Sequence, residues 1–382
     1  MEVIIDEKIN YVEELKKVLK GGHILAVYRE CDSLFAERVI KTVENAYRIT
    51  KKVLASSTEN TRDVVEDIRE ADDDIRLILA FGGHNVIECC KQVATLNGIA
   101  LVVILTTPTR INEQESVIFD NNSLCICKTV EPSSLLVSRN HIAMRSDFSD
   151  IVSLFAEQML VAYDRLFQNL VQGLGLTNLD KIGIIIAKAK RLDENKKIEM
   201  LEQGYEIENS PISTYSKISE IMNRRTAEGV ERSNLKFAIT YSILLLYRSY
   251  IVANFDDLIY PPDIVASARF VSNLYGGNLH EIIMNYKMMS SREYMRMIHV
   301  SREYRSELLA ILNKIIDEMQ HLSKVMRRVS KDVGYEMYSG IHLDDILEGI
   351  SALSILEENN TLLRLMKSSG MLERYLVNKA IA

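Results

Sequence analysis

This chain of 382 residues has few cysteines, few prolines and no excess of positive charge. Its five cysteines, Cys31, Cys89, Cys90, Cys125 and Cys127, are too few and too irregularly spaced for a disulfide scaffold. Its five prolines, Pro108, Pro132, Pro211, Pro261 and Pro262, leave long stretches in which nothing breaks a helix. Formal net charge is -7, with acidic and basic residues interspersed, which argues against nucleic acid or an anionic membrane as partner. The opening "MEVIIDEKINYVEELKK" carries early acidic residues and no apolar signal core. The longest apolar stretch, Phe237 to Phe255, is broken by Thr240, Arg248 and Ser249. It falls short of the ~20 apolar residues that a membrane span needs. A cytoplasmic protein is the expectation. What remains is ordinary globular material: 47% apolar and 26% charged residues, in a chain long enough for two domains and a large core.

The first third alternates two periods. Short apolar runs, "HILAVY" (His23 to Tyr28), "KKVLAS" (Lys51 to Ser56), Leu77 to Phe81 and Ile99 to Leu105, read as strands. Between them Leu34 to Tyr47, the "STENTRDVVEDIREA" segment and the stretch after Gly83 read as helices. Alternation of this kind signals a mostly parallel sheet covered by helices. Ser116 to Val130 differs, with two β-rich runs flanking Asp120-Asn121-Asn122, and reads as a hairpin. After Pro132 apolar residues recur at helical spacing, as in Ile151 to Leu170, Asn234 to Asn254 and Arg305 to Val329. The expectation is an α/β, Rossmann-like domain over 1–131 and an all-α domain over 132–382. In open α/β sheets ligands bind beyond the carboxyl ends of the strands, here expected in a cleft between the domains.

One of those carboxyl ends carries Gly82-Gly83. A glycine pair between a strand and a helix lets backbone approach a phosphate, and the helix N-terminus adds partial positive charge. The pair also serves simply as a tight turn. The three-glycine Rossmann spacing is missing, and so is the Lys-Ser/Thr of a P-loop.

The wider pattern is more specific. "GGHNVIECCK" from Gly82, followed by "TTPT" from Thr106, resembles the iron-containing alcohol dehydrogenase and dehydroquinate synthase-like superfamily, with glycerol and glycerol-1-phosphate dehydrogenases most similar. The C-terminal "DDILEGISALSILEENNTLLRLMKSSGMLERYL" is similar to the last helices of the glycerol-1-phosphate branch. The resemblance implies a dehydroquinate synthase-like fold and NAD or NADP as cofactor. It implies that Gly82 and Gly83 cradle the pyrophosphate, that Lys91 matches the helix lysine, and that Thr106 and Thr107 form the threonine loop beside the nicotinamide. His84 stands where the third glycine belongs, and Glu88 where the family has aspartate.

The resemblance also implies a divalent metal, zinc or iron, in the second domain. Asp150, in "MRSDFSDIVSLFAEQ", takes the place of the aspartate ligand, though Ser146, Asp147 and Asp150 equally read as a helix-capping group. His280, in "LHEIIMNYK", takes the place of one histidine, and capping or surface exposure is its other reading. Arg269 and Asn273 stand where the remaining histidine motif is expected. A guanidinium does not ligate a cation, so the expected site has two ligands of three, with Arg269 expected to pair with Asp150.

Other tempting features carry bland readings. Cys125 and Cys127 share a strand face with no further ligands nearby, Cys89-Cys90 read as packing, and the methionine-rich Met284 to His299 reads as core or interface. The function implied is an NAD(P)-dependent polyol dehydrogenase acting on a small polyol or ketone, as a possible homo-oligomer. The alternative is a catalytically inactive protein of the same fold with a binding or regulatory role, which Arg269 and His84 favour. A lyase of the dehydroquinate synthase kind needs a cluster of lysines and arginines that the sequence does not show.

Overall fold

The computed structural model describes residues 2–55, 61–71, 74–107, 115–120, 123–145, 148–177, 179–192, 232–253, 265, 269, 289–332, 343–357 and 360–372. The chain divides into two compact units, one holding the described residues up to Arg145 and the other those from Phe148 onward.

The first unit is a six-stranded sheet in which every pairing is parallel. Its strands are β1 (Glu2–Asp6), β2 (His23–Arg29), β3 (Arg48–Leu54), β4 (Ile75–Gly82), β5 (Ala100–Leu105) and β8 (Ser134–Ser138). They lie in the order β1-β8-β5-β4-β2-β3. The central strands are buried on both faces, which is why they read as continuous apolar runs rather than alternations. Helices α1 (Tyr11–Val18), α2 (Ser33–Val43), α3 (Arg62–Arg69) and α4 (His84–Asn97) connect them. Leu15, Ala36, Val39, Ile40 and Val43 of α1 and α2 pack with Ile24, Ala26, Tyr28, Leu77, Leu79 and Phe81 in one core. Each such aliphatic side chain contributes roughly 1.5–3 kcal/mol by leaving water. The ends are locally specified: Asn10 and Thr61 cap α1 and α3, and Gly98, in the left-handed region at φ 63°, stops α4.

The sequence-expected hairpin is present as antiparallel β6 (Glu115–Asp120) and β7 (Ser123–Lys128), paired only with each other. It is pinned to α4 by Ser116, whose hydroxyl donates to the Glu88 carbonyl at 2.9 Å. Two strands were not foreseen. β1 is five residues with charged ends, and β8 follows Pro132, where the helical domain was expected to have begun. β8 pairs with both β5 and β1, so the sheet extends to Ser138. β8 and α5 (Arg139–Arg145) thus lie in the α/β unit, beyond residue 131.

The second unit is helical wherever it is described: α6 (Phe148–Gln172), α7 (Leu179–Ala189), α8 (Arg232–Val252), α9 (Ser291–Glu303), α10 (Arg305–Asp332), α11 (Leu343–Leu356) and α12 (Leu362–Ser368). α6 buries residues on all sides, among them Phe155, Met159, Tyr163, Leu166 and Phe167, as a central helix must. α9 starts with a capping box in which the Ser290 and Glu293 side chains each bond the other residue's backbone N–H. Ser233–Val252, within α8, is long and apolar enough to cross a membrane by length and composition, unlike the sequence expectation. Its window is 61% buried inside the protein, with Phe237, Leu244, Tyr247 and Tyr250 in the core, as for a core helix.

Candidate functional site

Two crossovers leave the first sheet in opposite directions. From β2 the chain passes outward to the edge strand β3, and from β4 it passes the other way to β5. The gap between β2 and β4 is therefore the topological switch point, where a doubly wound sheet leaves a crevice at its carboxyl edge. Register brings the strand ends level there: Tyr28 faces Phe81, Gly82 faces Leu105, and Leu105 faces Val137. Arg29, Gly83, Thr106 and Ser138 are next along their strands.

Gly82 and Gly83 are glycine for want of room. A Cβ on Gly82 would lie 2.7 Å from Val86 Cβ and 2.8 Å from its Cγ2. A Cβ on Gly83 would collide with Thr107 Oγ1. Neither residue needs the left-handed region, Gly83 having φ -94°. Gly83 is the N-cap of α4 and, being glycine, has no side chain to cap it. Thr106 is fully buried, its N–H donates to the Gly82 carbonyl at 3.3 Å, and its Oγ1 has no hydrogen-bond partner among the described residues. Thus the sequence-expected Gly82, Gly83, His84, Thr106 and Thr107 do come together around one helix N-terminus.

Lys91 does not join them as a displayed cation. It is fully buried, and its Nζ lies 3.5 Å from Glu88 Oε1, itself buried. These two residues, expected to mark a nucleotide motif, form a buried ion pair one turn into α4. Cys89 and Cys90 are buried as packing residues, and burial pushes the Cys90 thiol well above its ordinary pKa.

A second feature at this edge has no signature along the chain. Phe35, in the first turn of α2, stacks on His141 of α5 with ring centroids 3.6 Å apart and planes 7° from parallel. Phe35 also meets Phe81 edge-on at 6.4 Å. The pair links residues over a hundred positions apart, and His141 lies beyond the expected domain boundary, so no local pattern could reveal it.

In the helical unit, Asp150 sits in the first turn of α6, where a carboxylate suits the helix dipole. Ser233, at the start of α8, donates to its carboxylate. Asp150 thus ties two helix starts together. Arg269 is exposed, and no ion pair between it and Asp150 is found among the described residues. His280 and Asn273 lie outside the described residues. Among the described residues no group of three His, Cys, Asp or Glu side chains gathers to hold a metal. Deeper in this unit Tyr247 donates to Asp164 Oδ1 at 3.0 Å, and Tyr163 packs on Tyr247 at 6.0 Å. Burial, and then the neighbouring Glu357, hold the Asp164 carboxyl well above the usual carboxylate range, against the Tyr247 hydrogen bond.

No protein-family model matches the sequence, and no curated protein matches it. Solved structures do. An archaeal halo-thermophilic alcohol dehydrogenase from a Red Sea brine pool matches at 11% identity and TM-score 0.58, over 99% of this chain and 96% of that one. NADH-dependent butanol dehydrogenase A from Thermotoga maritima matches at 10% identity and TM-score 0.53, over 98% and 96%. A glycerol dehydrogenase from Schizosaccharomyces pombe matches at 12% identity and TM-score 0.46, over 85% and 90%, too loosely to bear on substrate. The fold is thus that of the brine-pool alcohol dehydrogenase and the butanol dehydrogenase, an α/β parallel-sheet unit followed by a helical one, as the superfamily resemblance implied.

Proposed function

We propose that this protein is an NAD(P)-binding, dehydrogenase-like oxidoreductase of the cytoplasm whose substrate is a small polyol or its ketone. One observation carries the reading. At the switch point of the sheet, a turn too tight for any Cβ ends in a helix whose N-cap is a glycine, with no side chain of its own to cap it. Such a turn suits a pyrophosphate: backbone at Gly82 and Gly83 approaches it closely, and the α4 dipole favours its charge. Thr106 offers a buried hydroxyl beside the turn, and Thr107 closes over Gly83. His84 adds a side chain where the resemblance expects none, so affinity is expected to be weaker than in a three-glycine turn. Bound nicotinamide would supply the hydride chemistry, and the residues named here only hold and orient it.

The metal fits less well. Catalytic zinc normally takes three protein ligands. The described residues supply Asp150 alone, already engaged by Ser233. No step is therefore assigned to a metal. Arg269 and His84, standing where the resemblance expects a histidine and a glycine, favour a second reading, a protein of this fold that binds a nucleotide without turning over substrate. Titration of NADH and NADPH, followed by nucleotide fluorescence, tests the first claim. Saturable binding that tightens in His84→Gly supports it, and no binding of either at millimolar concentration refutes it. Elemental analysis separates the two readings: one zinc or iron per chain restores the active dehydrogenase, and none supports the inactive protein.

A further inference from the structure

The opposite, amino end of the first sheet carries a constellation unrelated to nucleotide binding. His23 is the first residue of β2 and is 3% exposed. Its Nε2 lies 2.8 Å from Oγ1 of Thr50 on β3, and its Nδ1 bonds the carboxylate of Asp74, in the turn before β4. The placement follows from sheet register. His23 pairs with Arg48 and Leu25 with Thr50, so His23, Arg48 and Thr50 share one face of two neighbouring strands. Arg48 Nη1 reaches Asp74 Oδ2 at 3.1 Å.

A hydroxyl, an imidazole and a carboxylate in hydrogen-bonded series form a nucleophile, its base and the group that orients the base. The three parts differ in access. The imidazole is buried and held from both sides, while Thr50 is half-buried and Asp74 exposed. β3 is an edge strand, so Thr50 lies at the margin of the sheet.

We propose that His23, Thr50 and Asp74 form an acyl-transfer site that takes small activated esters or thioesters. The Thr50 hydroxyl attacks the acyl carbon while His23 Nε2 accepts its proton. Negative charge collects on the former carbonyl oxygen, on the strand face that carries the Arg48 guanidinium. The bond to the alcohol or thiol leaving group breaks, and that group takes the proton from His23. Water, deprotonated by His23, then attacks the Thr50 ester, and the threonine hydroxyl is restored as the carboxylic acid leaves. Asp74 is a positioning residue that fixes the imidazole with Nδ1–H toward itself.

The test is incubation of the full chain with p-nitrophenyl acetate, following nitrophenolate release and mapping the acetylated peptide by mass spectrometry. Exposed Cys31 and the lysines are competing nucleophiles, so the map decides. The expected result is acetyl on Thr50, lost in Thr50→Ala and kept in Thr50→Ser. Release should fall about 10²–10⁴-fold in His23→Gln. It should fall less in Asp74→Asn. Acetylation of wild-type protein only at Cys31 or lysines, or no acetylation, overturns the proposal. The map on the unaltered chain is decisive even if a variant fails to fold.

Discussion

Replacing Gly82 by alanine puts the Gly82-Gly83 turn under direct strain. The new Cβ would stand 2.7 Å from Val86 Cβ, with Cγ2 at 2.8 Å and Cγ1 at 3.3 Å. Carbon atoms pack best at about 3.5–4.0 Å, so the strand end or the first turn of α4 must move by roughly 1 Å. Overpacking of this kind costs about 1–3 kcal/mol. In a unit of this size that lowers Tm by roughly 2–12 °C at ~2–4 °C per kcal/mol. The same shift displaces the backbone proposed to meet the pyrophosphate, so NADH affinity should fall more steeply than stability. Geometry also says which second change rescues it. Val86→Ala keeps the Cβ that makes the closest contact and should help little. Val86→Gly removes that atom and should restore much of the loss, after the helix penalty of about 1 kcal/mol for glycine. Thermal melts and NADH titrations of the four proteins in this cycle give the coupling energy, expected at about 1–2 kcal/mol for residues in contact. Wild-type stability and affinity in Gly82→Ala, or a coupling energy near zero, would show that the turn is not constrained as described.

Removing the Asp164 carboxylate should stabilise the helical unit. Its pKa is raised by burial and by Glu357, so the folded protein holds a proton that the unfolded chain gives up. Stability therefore declines as pH rises above the ordinary carboxylate range, and is best preserved below it. Asp164→Asn, which keeps an acceptor for Tyr247, should flatten urea-derived stability between pH 4.5 and 8, and an unchanged slope would contradict this account. Lys91→Met should cost about 3–5 kcal/mol by stranding the Glu88 charge in the core, and adding Glu88→Leu should recover much of it. Additive losses in the denaturant midpoints of that pair would argue against a buried ion pair.

The parts of the fold readable from sequence were those specified by neighbours along the chain. β2, β4 and β5 announced themselves as apolar runs because both faces are buried, and Gly82-Gly83 marked the strand-to-helix turn through its composition. β1 and β8 were missed because each is five residues long and gains its place only by pairing with the other and with β5. The site divides the same way. The glycine and threonine residues sit in two short motifs that the fold brings level. The Phe35–His141 stack, the Asp164–Tyr247 bond and the His23–Thr50–Asp74 series join residues distant in sequence. Lys91 shows the converse: its motif position suggested a ligand, while its surroundings give it to Glu88.

The pairing of β1 with β8 has a consequence for synthesis. Ile4 and Leu136 are register partners 132 positions apart, so the sheet acquires its last edge only when the far end of the unit has emerged. At ~5–20 residues per second, the first strand leaves the ribosome roughly 7–26 s before its partner exists. During that interval Val3, Ile4 and Ile5 lack the strand they pair with in the sheet. Closing so long a loop is intrinsically slow. Truncation ahead of Ser134 would remove β8 and leave both β1 and the outer edge of β5 without a partner strand.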